Sequence, residues 1–265
     1  MKFTGSKQRI SKYIVPIIQK CIDDNKLSTF LDCFVGGANI IDKIKCENRV
    51  GNDKNHYLIA LWNALKEGFY LQGVEMNEDI YKDIRENPSK YPDETVAVAG
   101  ILASYNSKWF AGYAKTHIGK SPSDKNVVTR NYYQESINNV LNQLPNIQDV
   151  TFISKDYKDL NIPLTPPIMI YCDPPYANKV GFKDKIDHSE YWEWAREISM
   201  NHYVLCSEYV APDDFKEVWS GQVRITLDNA SRSNATEKLF TYKGGLYDKY
   251  IAEKGQGVNY GFNRL

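Results

Sequence analysis

One local pattern recurs along this chain and constrains its fold more than any other: a short apolar run, a turn, and then a carboxylate. Thr29 to Val35 is apolar except for Asp32 and ends in Gly36-Gly37; the run from Arg49 to Asn52 closes at Asp53. Val150 to Ile153 precedes Asp156, Pro167 to Cys172 closes at Asp173, and Tyr203 to Ser207 closes at Glu208. Between these runs the apolar residues change period. Ile10, Ile14, Ile17, Ile18 and Cys21 are spaced by three and four, which predicts an amphipathic helix from Ser6 to Cys21, capped by Ser6 and kinked at Pro16. Further helices are expected over Ala38 to Lys45, around Tyr57 to Leu65, over Tyr132 to Leu144 and over Ser189 to Met200. Strands alternating with helices predict an α/β fold: a Rossmann-like, mostly parallel sheet covered on both faces. Val223 to Leu227 and Lys238 to Tyr242 read as a late antiparallel pair. In such sheets the ligand sits beyond the carboxyl ends of the strands. Asp53, Asp156, Asp173 and Glu208 are therefore expected around one pocket.

Composition removes several classes of function. At 265 residues the chain suits one large domain, or a main domain with an insert. Lys plus Arg (33) equals Asp plus Glu (33), so any nucleic-acid contact must come from a local basic patch. The apolar stretches fall well short of the ~20 residues of a membrane-spanning helix. Met1-Lys2-Phe3-Thr4-Gly5 lacks the apolar core of a signal peptide. The 5 cysteines are odd in number with no Cys-x-x-Cys pair, and the 4 histidines are scattered, so neither a disulfide framework nor a metal site is expected. The expectation is a reduced, cytoplasmic protein without metal or membrane partner.

Residues 71–126 break the alternation, are polar, and read as mostly helical. From Ile101 to Gln134 the basic residues Lys108, Lys115, Lys120, Lys125 and Arg130 face one acid, Asp124. That excess, with Trp109, Phe110 and Tyr113 nearby, is the best candidate for a phosphate-facing surface. Trp109 and Phe110 suit a small aromatic core equally well.

The sharpest chemical signal is Asp173-Pro174-Pro175-Tyr176, directly after an apolar strand. Two prolines remove two amide donors and fix φ, giving a stiff exit from the strand. The Asp173 carboxylate and the Pro174 carbonyl are acceptors, and Tyr176 offers a π-face. Together they suit an exocyclic amino group on a flat heteroaromatic ring.

This motif resembles the catalytic motif of the S-adenosylmethionine-dependent DNA adenine N6-methyltransferases, and the remaining matches resemble their Dam-like, D12 class. They are Phe3-Thr4-Gly5-Ser6-Lys7, Asp32-Cys33-Phe34-Val35-Gly36-Gly37-Ala38-Asn39, Asn52-Asp53, Asp156-Tyr157 and Glu237-Lys238-Leu239-Phe240, in the family's order over most of residues 1–245. The resemblance implies a catalytic domain over residues 1–70 and 127–265 and a target-recognition insert over 71–126. It implies S-adenosyl-L-methionine as cofactor and double-stranded DNA as partner; no restriction endonuclease partner is assigned. Phe3, Lys7, Asp32, Phe34, Gly36, Gly37, Asp53, Asp156, Tyr157 and Asp173 would form the cofactor site. Gly36-Gly37 would admit the methionine part, Asp53 would accept from the ribose hydroxyls, and Asp156 with Tyr157 would border the adenine. Lys7 would lie near the cofactor carboxylate or the active-site mouth. Asp173, Pro174, Pro175 and Tyr176 would be catalytic, with the adenine flipped out of the duplex onto Tyr176. DNA contacts are expected at Lys108, Trp109, Lys115, Lys120, Lys125 and Arg130, and at Arg232 in the polar turn Asn229 to Asn234.

Rival readings share parts of this pattern. A dinucleotide-dependent oxidoreductase is disfavoured because Val35-Gly36-Gly37-Ala38-Asn39-Ile40 lacks Gly-x-Gly-x-x-Gly. A methyltransferase acting on cytosine N4 or RNA adenine keeps the fold but is disfavoured, by resemblance, by Asp before Pro-Pro-Tyr. A non-catalytic DNA-binding relative is disfavoured by the intact Asp32, Asp53, Asp156, Asp173 and Tyr176. The tail after Gly255 carries no assignment.

Overall fold

The structure, a computed structural model of the chain, describes residues 1–120, 127–176, 186–228 and 231–255. Its strands are β1 (Thr29–Asp32), β2 (Asn48–Asn52), β3 (His117–Lys120), β4 (Val127–Arg130), β5 (Val150–Ile153), β6 (Met169–Cys172), β7 (Tyr203–Glu208), β8 (Phe215–Asp228) and β9 (Ser231–Tyr242). The helices are α1 (Ser11–Asn25), α2 (His56–Lys66), α3 (Glu78–Glu86), α4 (Asp93–Ala97), α5 (Tyr132–Gln143), α6 (His188–Ser199) and α7 (Leu246–Glu253). The main sheet has 7 strands in the order β5-β2-β1-β6-β7-β9-β8. Neighbours pair in parallel up to β7, and β9 joins antiparallel to both β7 and β8. The expected mostly parallel α/β sheet with a late antiparallel element is what forms. None of the described helices is long and apolar enough to cross a membrane.

The two-residue period of the strands builds two cores. Phe30, Met169, Tyr171 and Leu205 face one side with Ile14, Ile17, Ile18 and Cys21 of α1. Leu31, Cys33, Ile170, Cys172, Val204 and Cys206 face the other, against Tyr191, Trp192 and Ala195 of α6. Three cysteines thus serve as small core residues between adjacent strands. Each fully buried aliphatic side chain contributes roughly 1.5–3 kcal/mol relative to exposure. The central strand β6 is buried at every position, which fixes the direction in which Asp173 leaves the sheet.

Residues 71–126 carry α3, α4, a π-helical turn at Val98–Leu102 and β3, which pairs with β4 across the expected boundary. Tyr81, Ile84, Val96 and Ile101 pack into the same core as Leu58 and Leu61 of α2. Residues 71–126 are therefore built onto the sheet's helical layer and share its buried surface.

Three local expectations are corrected. Ala38 to Lys45 is not a helix beyond the short 3-10 turn Ile41–Lys43, because Ala38 takes a left-handed φ of 56°. Ser6 does not cap α1: its hydroxyl accepts from the Gln8 amide at 3.2 Å and the Asn39 side chain at 2.9 Å. The helix starts at Ser11 after a turn closed on the Lys7 carbonyl, and Pro16 sits inside a continuous helix. Ser231 to Asn234 belong to β9 rather than to a turn, with Arg232 opposite Thr226; Asn229 and Ala230 lie outside the described residues.

Candidate active site

A cleft of about 1260 Å³, counted out to its open mouth, lies beyond the carboxyl ends of β1, β2, β5 and β6. The chain turns outward in opposite directions at the β1–β6 pair, and that reversal leaves the crevice open. Phe3, Lys7, Asp32, Phe34, Gly36, Gly37, Asp53, Asp156, Tyr157, Asp173, Pro174, Pro175 and Tyr176 all line it. Every residue that sequence reasoning put in the cofactor or catalytic set therefore meets in one place. Glu208 does not belong there. It is buried at the end of β7, accepting from the Tyr209 amide at 2.7 Å, with His188 4.0 Å away.

At the floor of the cleft, β1 delivers Asp32 and then turns at Gly36-Gly37. Gly36 has φ +45°, and a Cβ there would lie 2.9 Å from the Phe3 ring. A Cβ on Gly37 would lie 2.7 Å from the Asn39 side chain and 2.8 Å from Phe3. Both positions need glycine for close approach. The turn is held from below. The Trp62 indole donates to the Gly36 carbonyl at 3.0 Å, and the Gln143 amide donates to the carbonyls of Gly37 and Ala38 at 3.1 and 2.8 Å. Asp53 closes it from the side, accepting from the Gly36 amide at 3.1 Å and the Asn55 amide at 2.9 Å.

Asp32 is 2% exposed, and its Oδ1 has no hydrogen-bond partner among the described residues. Burial, and then the negative charge of Asp173, hold its carboxyl well above the usual carboxylate range, against one opposing bond from the Phe34 amide. A buried acid in that position is stabilised by any cation that enters the cleft.

The wall formed after β5 is aromatic. Tyr157 lies edge-on to Tyr191 and Trp194 and tilts against Phe34 with centroids 5.7 Å apart. Asp156 at its rim pairs with Lys54 at 2.9 Å and accepts from the Lys158 amide at 3.2 Å. Trp109 reaches the cleft from the insert, stacked on Tyr57 at 5.6 Å. Phe110 packs on Tyr81, and both Phe110 and Trp109 lie against Gly100 of the π turn.

At the mouth, Lys7 is 6% exposed, 2.7 Å from Asp173 and 3.7 Å from Glu237. Its ammonium lies 4.5 Å from the centroid of the Tyr176 ring. Burial disfavours its charge, but Asp173 and Glu237 outweigh that and raise its pKa. The Tyr176 hydroxyl donates to Glu237 at 2.6 Å.

The basic residues between Ile101 and Gln134 are less available than their number suggests. Lys115 is exposed but pairs with Glu78 at 2.9 Å, and Arg130 pairs with Glu135 at 2.8 Å. Lys108 is exposed on the loop before Trp109. Lys120 ends β3 and Arg232 lies in β9, while Lys125 lies outside the described residues. Sequence reasoning missed the supporting roles of Asn39, Trp62, Gln143 and Glu237. Asn39 and Glu237 stood inside matched stretches without an assigned role, whereas Trp62 and Gln143 had no local signal.

Comparison with known proteins agrees with this geometry. Residues 3–202 match the family model described as D12 class N6 adenine-specific DNA methyltransferase. The chain is 25% identical over 215 residues to the modification methylase StsI of Streptococcus sanguinis, covering 72% of this chain and 31% of that protein. It is 20% identical over 223 residues to the type II methyltransferase M.FokI of Planomicrobium okeanokoites, covering 76% of this chain and 32% of that one. The chain thus spans about a third of the length of these curated relatives. With the family model matching from Phe3 through the end of α6, the chain belongs to the D12 class of N6 adenine-specific DNA methyltransferases.

Proposed function

We propose that this chain transfers a methyl group from S-adenosylmethionine to N6 of an adenine in double-stranded DNA. One observation carries the reading: Asp173-Pro174-Pro175-Tyr176 and the buried, incompletely bonded Asp32 open into the same cleft. The first offers two acceptors and an aromatic face to a flat amine; the second favours a cationic ligand beneath it. S-adenosylmethionine, when bound, supplies a methyl group activated by a positively charged sulfur. Asp32 and the Gly36-Gly37 turn would hold its methionine part, beside Phe3 and Lys7. Asp53 would accept from the ribose hydroxyls, and Phe34, Asp156 and Tyr157 would border the adenine ring.

The amino nitrogen of the target adenine is a weak nucleophile because its lone pair is conjugated with the ring. Asp173 and the Pro174 carbonyl, accepting its hydrogens, favour a pyramidal nitrogen with a localised lone pair. The rigid Pro174-Pro175 exit keeps both acceptors in place before the base arrives, so catalysis is positioning plus electrostatic preorganisation. The base must leave the duplex to reach them, and Tyr176 offers the surface on which it stacks. Lys108, Trp109, Lys115, Lys120, Lys125, Arg130 and Arg232 are the proposed DNA contacts. Residues 71–126 are the proposed recognition insert, and residues 1–70 and 127–265 the catalytic domain.

The test is Asp173→Ala. Removing one preorganised polar group costs ~10²–10³ in rate, and more where it also positions the nucleophile. Single-turnover incorporation of labelled methyl into unmethylated duplex DNA should fall at least that far, and digestion of wild-type product should yield N6-methyladenine. Near-normal transfer by the variant overturns the mechanism, and N4-methylcytosine in the digest overturns the substrate.

A further inference from the structure

Glu237 lies on β9 opposite Gly221, one residue outside the last β7 pairing, Glu208 with Lys238. The next side chain, Lys238, turns to the other face and pairs with Glu217 at 2.8 Å, so strand alternation sends Glu237 toward the cleft. It stops short of it: Glu237 is buried but is not one of the residues that line the cleft. A carboxylate set behind the lining acts through what it touches.

What it touches is the catalytic end of the site. The Tyr176 hydroxyl donates to Glu237 Oε2 at 2.6 Å. Burial first, and then the charges of Asp173 and Glu237, hold that phenol well above its usual range, so it stays protonated and donates. The Lys7 ammonium stands 2.7 Å from Asp173 and 3.7 Å from Glu237, with the face of Tyr176 4.5 Å away. Tyr209 abuts Tyr176 edge-on at 4.6 Å. The N-terminal loop, the exit of β6 and the base of the β8–β9 ribbon are therefore tied together through one acid.

Two consequences follow from charge and geometry. The bond to Glu237 fixes the direction of the Tyr176 phenol and with it the plane of the ring. Sharing Lys7 between two carboxylates also prevents Asp173 from being wholly neutralised by one ammonium, so it keeps acceptor strength for an amine. We propose that Glu237 is a positioning residue for methyl transfer, orienting the Tyr176 ring and dividing Lys7 with Asp173. This rests on the reading in which Asp173 and Tyr176 receive the target base.

The experiment compares Glu237→Gln, Tyr176→Phe, the double variant and Asp173→Ala in single-turnover methylation of long unmethylated duplex DNA at saturating S-adenosylmethionine. Glu237→Gln keeps shape and removes charge, leaving the weaker acceptor of an amide oxygen; Tyr176→Phe removes the hydrogen bond from the donor side. Each single variant should lower the saturated rate by about tenfold or more, the scale of a misplaced reacting group. KM for DNA and the melting midpoint should stay near wild type. The double variant should be less impaired than the product of the two single losses, because both act on the one Tyr176–Glu237 contact. A wild-type saturated rate in Glu237→Gln, a loss confined to KM or melting, or losses that multiply would each overturn the proposal. Should Glu237→Gln fail to fold, an unchanged saturated rate in Tyr176→Phe overturns it instead. The Asp173→Ala arm separates the two levels. Transfer retained there sinks the underlying reading; transfer abolished there with a normal Glu237→Gln sinks only the role of Glu237.

Discussion

Asp32 sets stability against function at a single atom. Its folded pKa is raised by burial and by Asp173, so the folded chain binds a proton there more tightly than the unfolded chain. The contribution to stability is present below the unfolded carboxylate range and is lost as pH rises through the folded pKa. Held as an anion, the acid carries a cost that a bound cation offsets. Asp32→Asn should therefore raise the melting midpoint of the ligand-free protein by a few degrees and weaken binding of S-adenosylmethionine. A variant that melts lower while binding the cofactor normally would contradict both halves. Asp53→Ala tests the other end of the proposed cofactor. It removes a charged acceptor, an effect of roughly 1–3 kcal/mol, and calorimetry showing unchanged affinity would take Asp53 out of the site.

At the scale of elements, the basic strip of the insert makes a prediction about salt. Lys115 already pairs with Glu78, so only part of its charge is available to phosphate. Lys115→Ala with Lys120→Ala should still weaken binding to all duplexes alike and flatten the salt dependence, by about 0.9 in logarithmic slope for each phosphate no longer neutralised. Cofactor binding should survive. An unchanged slope would move the DNA surface toward Lys7, Arg9, Lys12 and Arg232, and weakening on one sequence only would mean that these lysines read bases. The elements themselves were legible to different degrees. β2, β5 and β7 could be read within about a residue, and β1 and β6 within two or three, because apolar period and turn chemistry are local signals. The stretch from Ala38 to Lys45 looked helical, yet Asn39 is drawn to the N-terminal segment, donating to the Met1 carbonyl at 2.8 Å. Glu208 fitted the strand-and-acid pattern but is the last residue of β7, paired with Lys238 of β9 and not among the residues that line the crevice. Glu237 stood in a matched stretch, Glu237-Lys238-Leu239-Phe240, but its role could not be read there, because its partners Tyr176 and Lys7 lie far away in the chain.

Across the whole molecule the cleft is assembled from residues 3–7, 32–37, 53, 156–157 and 173–176, which only the completed sheet brings together. No single stretch of the unfolded chain carries more than a fragment of it. A ligand of the cleft therefore binds the folded state alone, and mass action links its concentration to thermal unfolding. At a hundredfold excess over Kd the gain is about 2.7 kcal/mol, which for a chain of this size is roughly 5–10 °C in Tm. Thermal melts with S-adenosylmethionine should show that rise, and a midpoint indifferent to it would mean that the cleft is not its site. Above saturation, every further tenfold in ligand adds about 1.4 kcal/mol of stability, so a melting curve reads ligand affinity with neither DNA nor turnover present.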